Sequence, residues 1–175
     1  MNGVERLRAV DRGTPAMASA LPGLPMAETV MVRLLRIAVV GLGQATEPSL
    51  RRAGLTESNF HVLCLLMSSE NGRASPSELS ELVGASRANM SRIVDNLVSD
   101  GLILRETVSN DARRATLQIT ERGREVVRSA VPLLADPLHR AFAGLDRKSL
   151  AMLGQLLRSL VASFDAAIVS DRKAA

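Results

Sequence analysis

The segment Ser86-Arg87-Ala88-Asn89-Met90-Ser91-Arg92-Ile93-Val94-Asp95 carries the most suggestive chemistry in the chain. At helical spacing, Arg87, Ala88, Asn89, Ser91, Arg92 and Asp95 gather largely on one side, and Met90, Ile93, Val94, Leu97 and Val98 on the other. The polar side is slim. A helix that must lie close to the base edges of a duplex needs small residues there, because bulk would hold its backbone away. An Asn amide can pair with adenine, and the fork of an arginine with guanine, through two hydrogen bonds each. An ordinary solvated helix face has much the same composition, so this segment alone leaves both readings open.

The residues C-terminal to this helix narrow the choice. Leu102 to Val108 and Ala115 to Ile119 are β-like, and the polar turn Ser109-Asn110-Asp111-Ala112-Arg113-Arg114 joins them into a hairpin. Arg113 and Arg114 fall near its tip. Arginine in that place can enter the minor groove, where the negative potential of the duplex is strong. Asp111 is spaced to pair with Arg113 and set its direction, although such a surface pair contributes little to stability.

Several elements must position these two cationic features. Thr56 caps a helix running to Ser68, with Glu57 in the first turn, where the helix dipole favours an anion. Glu70 to Ala74 reads as a loop. Ser75-Pro76-Ser77-Glu78 is a capping box with proline at the first helical position. That short helix runs to Leu82 or Val83. Gly84 allows a tight turn before Ser86 caps the helix carrying Arg87. Two short helices joined this way form a helix-turn-helix. Asp100-Gly101 closes the second of them.

Toward the N-terminus, residues 1–26 hold Pro15, Pro22 and Pro25 without apolar periodicity and read as a flexible arm. A wide apolar stripe spans Ala27 to Thr46, and Pro48 is expected to end that helix. Beyond the hairpin, Thr120 caps a helix from Glu121 to about His139, expected to break or bend at Pro132 and Pro137. Asp146 caps a last helix to about Val169, with Leu150, Leu153, Leu156, Leu157, Leu160, Val161, Phe164 and Ile168 along it. The terminal helices carry more apolar surface than one small domain covers, which points to a homodimer. The expected layout is a flexible arm over 1–26, a dimerisation helix over 27–54, a winged helix-turn-helix over 55–120, C-terminal dimerisation helices over 121–170 and a tail over 171–175. The fold class is mainly α, with a two-stranded β wing.

Composition agrees with this. Aromatic residues make up 2% of the 175-residue chain, so helices packed through Leu, Val, Ile, Ala and Met are favoured over a β-sandwich. Lys148 and Lys173 are the only lysines among 22 basic residues, so the net charge of +4 is carried by arginine. Two histidines, His61 and His139, and the single Cys64 supply no metal-ligand spacing, and no nucleophile motif or phosphate loop accompanies them. Neither an enzyme nor a cofactor is expected. No signal peptide is evident, and no uncharged apolar run approaches the ~20 residues of a membrane span, so a cytoplasmic protein without membrane contact is expected.

From about Glu28 to Ile168 the sequence resembles the MarR family of bacterial regulators. The resemblance is carried by Leu55-Thr56, by Ser75-Pro76-Ser77-Glu78-Leu79, and by Ser86 with Ile93-Val94-Asp95-Asn96-Leu97. It continues in Gly101-Leu102-Ile103 with Arg105, Asp111-Ala112-Arg113, and Leu117-Gln118-Ile119-Thr120-Glu121-Arg122-Gly123. It implies a homodimer that places the helix of Arg87, Ala88, Asn89, Ser91 and Arg92 in a major groove of double-stranded operator DNA. Arg113 would be the wing-tip arginine, with Arg114 beside it as a competitor. Arg105 would brace the wing, and Ser75 and Ser77 would lie near the phosphate backbone. The resemblance also implies a ligand-responsive repressor of a pseudo-palindromic operator, answering to a small anionic or phenolic effector. Arg36 and His61 are the candidate ligand contacts. The alternatives are a redox sensor acting through Cys64, against which its apolar surroundings weigh, and a winged-helix adaptor or antirepressor that binds protein. Arg113→Ala is expected to weaken duplex binding by about 1–3 kcal/mol in an anisotropy titration; unchanged affinity would move the role to Arg114.

Overall fold

The structure is a computed structural model, and it describes residues 2–107 and 115–174. Asp111, Arg113 and Arg114 therefore lie outside the described residues. The elements are α1 (Gly3–Ala20), α2 (Met26–Arg52), α3 (Glu57–Ser68), a 3-10 turn (Glu70–Gly72), β1 (Arg73–Ala74), α4 (Pro76–Val83) and α5 (Arg87–Ser99). After these come β2 (Ile103–Thr107), β3 (Ala115–Ile119), α6 (Glu121–Phe142) and α7 (Arg147–Ala174). The chain divides into two compact units, Met1–Pro137 and Leu138–Ala175.

In the first unit the core is built by the faces that periodicity assigns to it. Val62, Leu63 and Leu66 of α3, Leu79 of α4, and Met90, Ile93, Val94 and Leu97 of α5 meet Ile103 of β2 and Leu117 and Ile119 of β3. Val127 and Ala130 of α6 complete the cluster. The sheet is antiparallel in the order β1-β3-β2. Ile103 pairs with Ile119 and Thr107 with Ala115, so Ile103, Leu117 and Ile119 share the inner face. On the outer face Arg73 spans the sheet: its Nη2 donates to Gln118 Oε1 at 2.9 Å and lies 3.3 Å from Glu106 Oε2.

Besides the expected tail over 171–175, which is helical to Ala174, four expectations need correction. Residues 3–20 are helix rather than a flexible arm. Asn2 and Glu5 form a capping box, and Arg6, Ala9, Val10, Gly13, Thr14 and Met17 make an inward helical face of mostly small residues. That face has the helical period without the bulk that marks an apolar stripe. Second, α2 continues through Pro48 to Arg52. Proline forfeits one hydrogen bond and crowds one carbonyl, but burial of Ser49 and of Leu50, which is 3% exposed, holds the last turn in place. Third, α6 continues through Pro132 and Pro137. Val127, Ala130 and Leu134 stay buried along one of its sides, which outweighs the backbone bond lost at Pro132; among the described residues nothing of this kind surrounds Pro137, beyond which Leu138 and Phe142 are exposed. Fourth, the expected loop over Glu70 to Ala74 contains the 3-10 turn and β1, whose two residues pair with β3.

Thr120 joins the hairpin to α6. Its hydroxyl accepts the Gly123 N–H at 3.0 Å, capping the helix, and donates to the Gly101 carbonyl at 2.9 Å. Gly123 packs directly on the Leu102 carbonyl, and a methyl group there would collide with that oxygen and stand 2.9 Å from Ile119 Cγ1.

In the second unit, Asp146 Oδ1 accepts the Ser149 N–H at 2.7 Å and starts α7. That bond and its neighbours hold the Asp146 carboxyl below the usual carboxylate range. The segment Arg147–Ile168 is long and apolar enough to cross a membrane by length and composition, a window of 18 residues in it averaging a hydropathy of 1.2. It does not stand out as an uncharged run because Arg158 and Asp165 interrupt the sequence. Leu150, Met152, Leu156, Leu157, Val161, Phe164 and Ile168 stand exposed along the helix.

Gly123→Ala is expected to lower unfolding stability by about 1–3 kcal/mol through overpacking against the Leu102 carbonyl. Gly41→Ala, in open space on α2, should leave stability unchanged or raise it by up to about 1 kcal/mol. Urea unfolding of both variants checks the contrast.

Candidate nucleic-acid interface

Two caps set the geometry. The Ser75 hydroxyl accepts the Glu78 N–H at 3.2 Å, and Glu78 Oε2 accepts the Ser75 N–H at 2.7 Å. These bonds hold the Glu78 carboxyl below its ordinary range. At the other end of α4, Gly84 takes φ 67°, a left-handed conformation that a side chain would strain. The Ser80 hydroxyl donates to the Ala85 carbonyl at 2.7 Å across the turn. The Ser86 hydroxyl then accepts the Asn89 N–H at 3.2 Å and starts α5.

With its start fixed, α5 divides as its sequence predicts except at Val98, which is 39% exposed. Met90, Ile93, Val94 and Leu97 are 1%, 4%, 2% and 0% exposed. Arg87, Ala88, Ser91 and Arg92 are exposed, and Asn89 is half-buried. Arg92 Nη2 donates to Asn89 Oδ1 at 2.9 Å. Beside this front lies an open concavity of about 360 Å³, lined by Pro76, Ser77, Ser80, Arg87, Met90, Ser91, Val94 and Arg105. Two arginines and three serines thus line one space at the start of α4, with the Ser80 hydroxyl proton already given to the Ala85 carbonyl. Hydroxyls and arginine forks of this kind suit phosphate oxygens.

The structure brings Ser77, Arg87, Ser91 and Arg105 together. Ser75 stands apart, half-buried and committed to its cap. Arg105 approaches Asp95 Oδ1 at 3.9 Å, tying β2 to α5. Two features escape a reading of the sequence. Ser80 gives no signal beyond its position on α4, and Arg73 falls in a segment that reads as loop, so its span across the outer sheet face is invisible there. Arg36 and His61 are exposed on α2 and α3, and neither lines the concavity. Cys64 is half-buried against the core, and that burial pushes its thiol pKa up.

A capped helix-turn-helix with a slim cationic front, leading into an antiparallel hairpin, defines a winged-helix DNA-binding protein. The chain belongs to the MarR family, whose profile matches residues 55–115. It is 34% identical over 148 residues to the transcriptional repressor MprA of Escherichia coli, a match covering 85% of this chain and 84% of that protein. It is also similar to the crystal structure of Sco3205, a MarR family transcriptional regulator from Streptomyces coelicolor in complex with DNA. The TM-score is 0.71 at 26% identity, covering 81% of this chain and 93% of that one. BpsR of Bordetella bronchiseptica, whose DNA binding is regulated by 6-hydroxynicotinic acid, shares the fold with a TM-score of 0.70 at 23% identity, covering 75% of this chain and 98% of that one. MprA and Sco3205 are transcriptional regulators.

Proposed function

We propose that the chain is a homodimeric, ligand-responsive repressor that binds a pseudo-palindromic operator. In this reading α5 of each protomer enters a major groove, and Arg113 or Arg114 approaches the adjacent minor groove. The observation that carries it is the shared concavity of Ser77, Arg87, Ser91 and Arg105 beside the exposed front of α5. Phosphates seated there would fix the register while Asn89 and Arg92 meet base edges. Bound across a promoter, such a dimer blocks transcription. With DNA as its partner, the protein works in the cytoplasm.

Residues 27–54 and 121–170 are assigned to dimerisation. Support comes from the exposed apolar side chains of α7 and from Met31, Val32 and Val39 of α2, which are 49%, 49% and 70% exposed. Exposed apolar side chains in this number favour a partner over water. The effector reading draws on BpsR and 6-hydroxynicotinic acid. A small anion or phenol would act by favouring a half-site separation that DNA cannot match. Arg36 and His61 remain its proposed contacts.

The redox alternative loses support from Cys64 itself. A raised pKa lowers the thiolate fraction, and the thiolate is the reactive species. The adaptor reading has no comparable observation in its favour.

Two outcomes are expected. Binding to duplex DNA should weaken steeply with salt, log K falling by about 0.9 per phosphate neutralised on a log salt scale, and selected sites should hold two half-sites roughly 34–36 Å apart. Affinity that is flat in salt would remove the DNA reading in favour of a protein partner. Iodoacetamide should alkylate Cys64 at pH 7 more slowly than a free cysteine, its rate still climbing above the pH where the free thiol levels off. Alkylation as fast as the free thiol, or loss of DNA binding after peroxide, would restore the redox reading.

A further inference from the structure

We infer that Asn89 and Arg92 act as one unit that reads guanine, because together they present chiefly hydrogen-bond donors, the one acceptor between them being held by a cation. The inference rests on α5 being the helix that enters the major groove. It deepens that reading by naming the base.

The backbone under the pair is fixed. Ser86 caps the Asn89 N–H at 3.2 Å, and the Ser86 carbonyl accepts the Met90 N–H at 2.9 Å. On this frame Arg92 Nη2 reaches Asn89 Oδ1 at 2.9 Å, one helical turn away. Asn89 is half-buried and Arg92 is exposed.

An Asn amide reads adenine with both of its ends. Nδ2 donates to N7 while Oδ1 accepts from the N6 amino group. Here one of the two lone pairs of Oδ1 is taken by a cation, and an N–H approaching the other meets the guanidinium charge, which weakens that oxygen as an acceptor. What is left for the groove is chiefly the Nδ2 amino group and the free N–H groups of the Arg92 fork, all donors. Guanine offers two acceptors in the major groove, N7 and O6. Adenine sets a donor beside its one acceptor. A surface of donors therefore complements guanine and opposes the adenine amino group. The single carboxylate of α5, Asp95, is drawn to Arg105 Nη1 at 3.9 Å and does not make up for the weakened acceptor. By itself the sequence permits Asn89 to read adenine; the contact with Arg92 reverses that preference.

The test is selection from a pool of randomised duplexes, then affinity measurements on single-base variants of the selected half-site. One half-site position should require guanine, and adenine or 7-deazaguanine there should weaken binding at least tenfold. R92A frees Oδ1, so discrimination between guanine and adenine at that position should fall to within twofold. N89A removes the Nδ2 donor and the oxygen that holds Arg92 in place but leaves the Arg92 fork, so discrimination should shrink without vanishing, and R92K, which keeps a donor for Oδ1, should retain part of it. R87A should lower affinity for all duplexes and leave this discrimination intact. A wild-type half-site indifferent to adenine at every guanine position, or R92A or N89A with full discrimination, overturns the pair while DNA binding stands. If R92A binds too weakly to measure, the 7-deazaguanine scan on the wild type decides alone. Wild-type protein that binds no duplex overturns the underlying DNA reading, an outcome distinct from the others.

Discussion

Met90, Ile93, Val94 and Leu97 are buried on one side of α5, and everything that its opposite side presents depends on that seat. Each side chain contributes roughly 1.5–3 kcal/mol when fully removed from water. This anchorage lets the outward side dispense with packing of its own. Ala88 and Ser91 stay small, and Arg87 and Arg92 keep their charge in solvent, because none of them has to hold the helix in place. The seat is shared among four helices and two strands, so it resists rotation of α5 about its axis.

The caps convert that seat into direction. Ser75 and Ser86 each fix the first turn of a helix, and Gly84 allows the short left-handed turn that sets one helix against the other. Strand alternation places Arg105 on the inner side of the sheet, in line with Ile103 and Leu117 but beyond the edge of the core, where it meets Asp95 and the concavity. On the other side Arg73 bridges β1 to Glu106 on β2. The hairpin stem is thus gripped on both faces by arginines, one toward the front of α5 and one toward solvent.

Much of this was legible because the signals are local. A capping serine, a proline at the first turn and a glutamate two residues later specify α4 with no help from tertiary structure, and the same holds for the caps Thr56, Ser86 and Asp146. β3 announces itself by alternation, Ala115, Leu117 and Ile119 against Thr116 and Gln118, whereas β2 reads as β-like without alternating. What stayed hidden depends on partners far along the chain. β1 has two residues and exists only because β3 pairs with it. The face of α1 has the right period but small side chains, so no apolar stripe marks it. Pro48 and Pro132 are genuine breakers whose cost is outweighed by burial that no local rule can see. At the site, spacing placed Arg87, Asn89 and Arg92 on one helix. The hydrogen bond between Asn89 and Arg92 depends on rotamers, which a sequence does not state.

The joint at Thr120 has a mechanical consequence. Its hydroxyl bonds both to the first turn of α6 and to the carbonyl that ends the turn after α5, and Gly123 lets the helix sit directly on the Leu102 carbonyl. No compliant linker separates the two. Torque applied to the start of α6 therefore cannot dissipate in a hinge there, and the root of the hairpin and the tail of α5 must turn with it. Such a junction behaves as a crank rather than a tether.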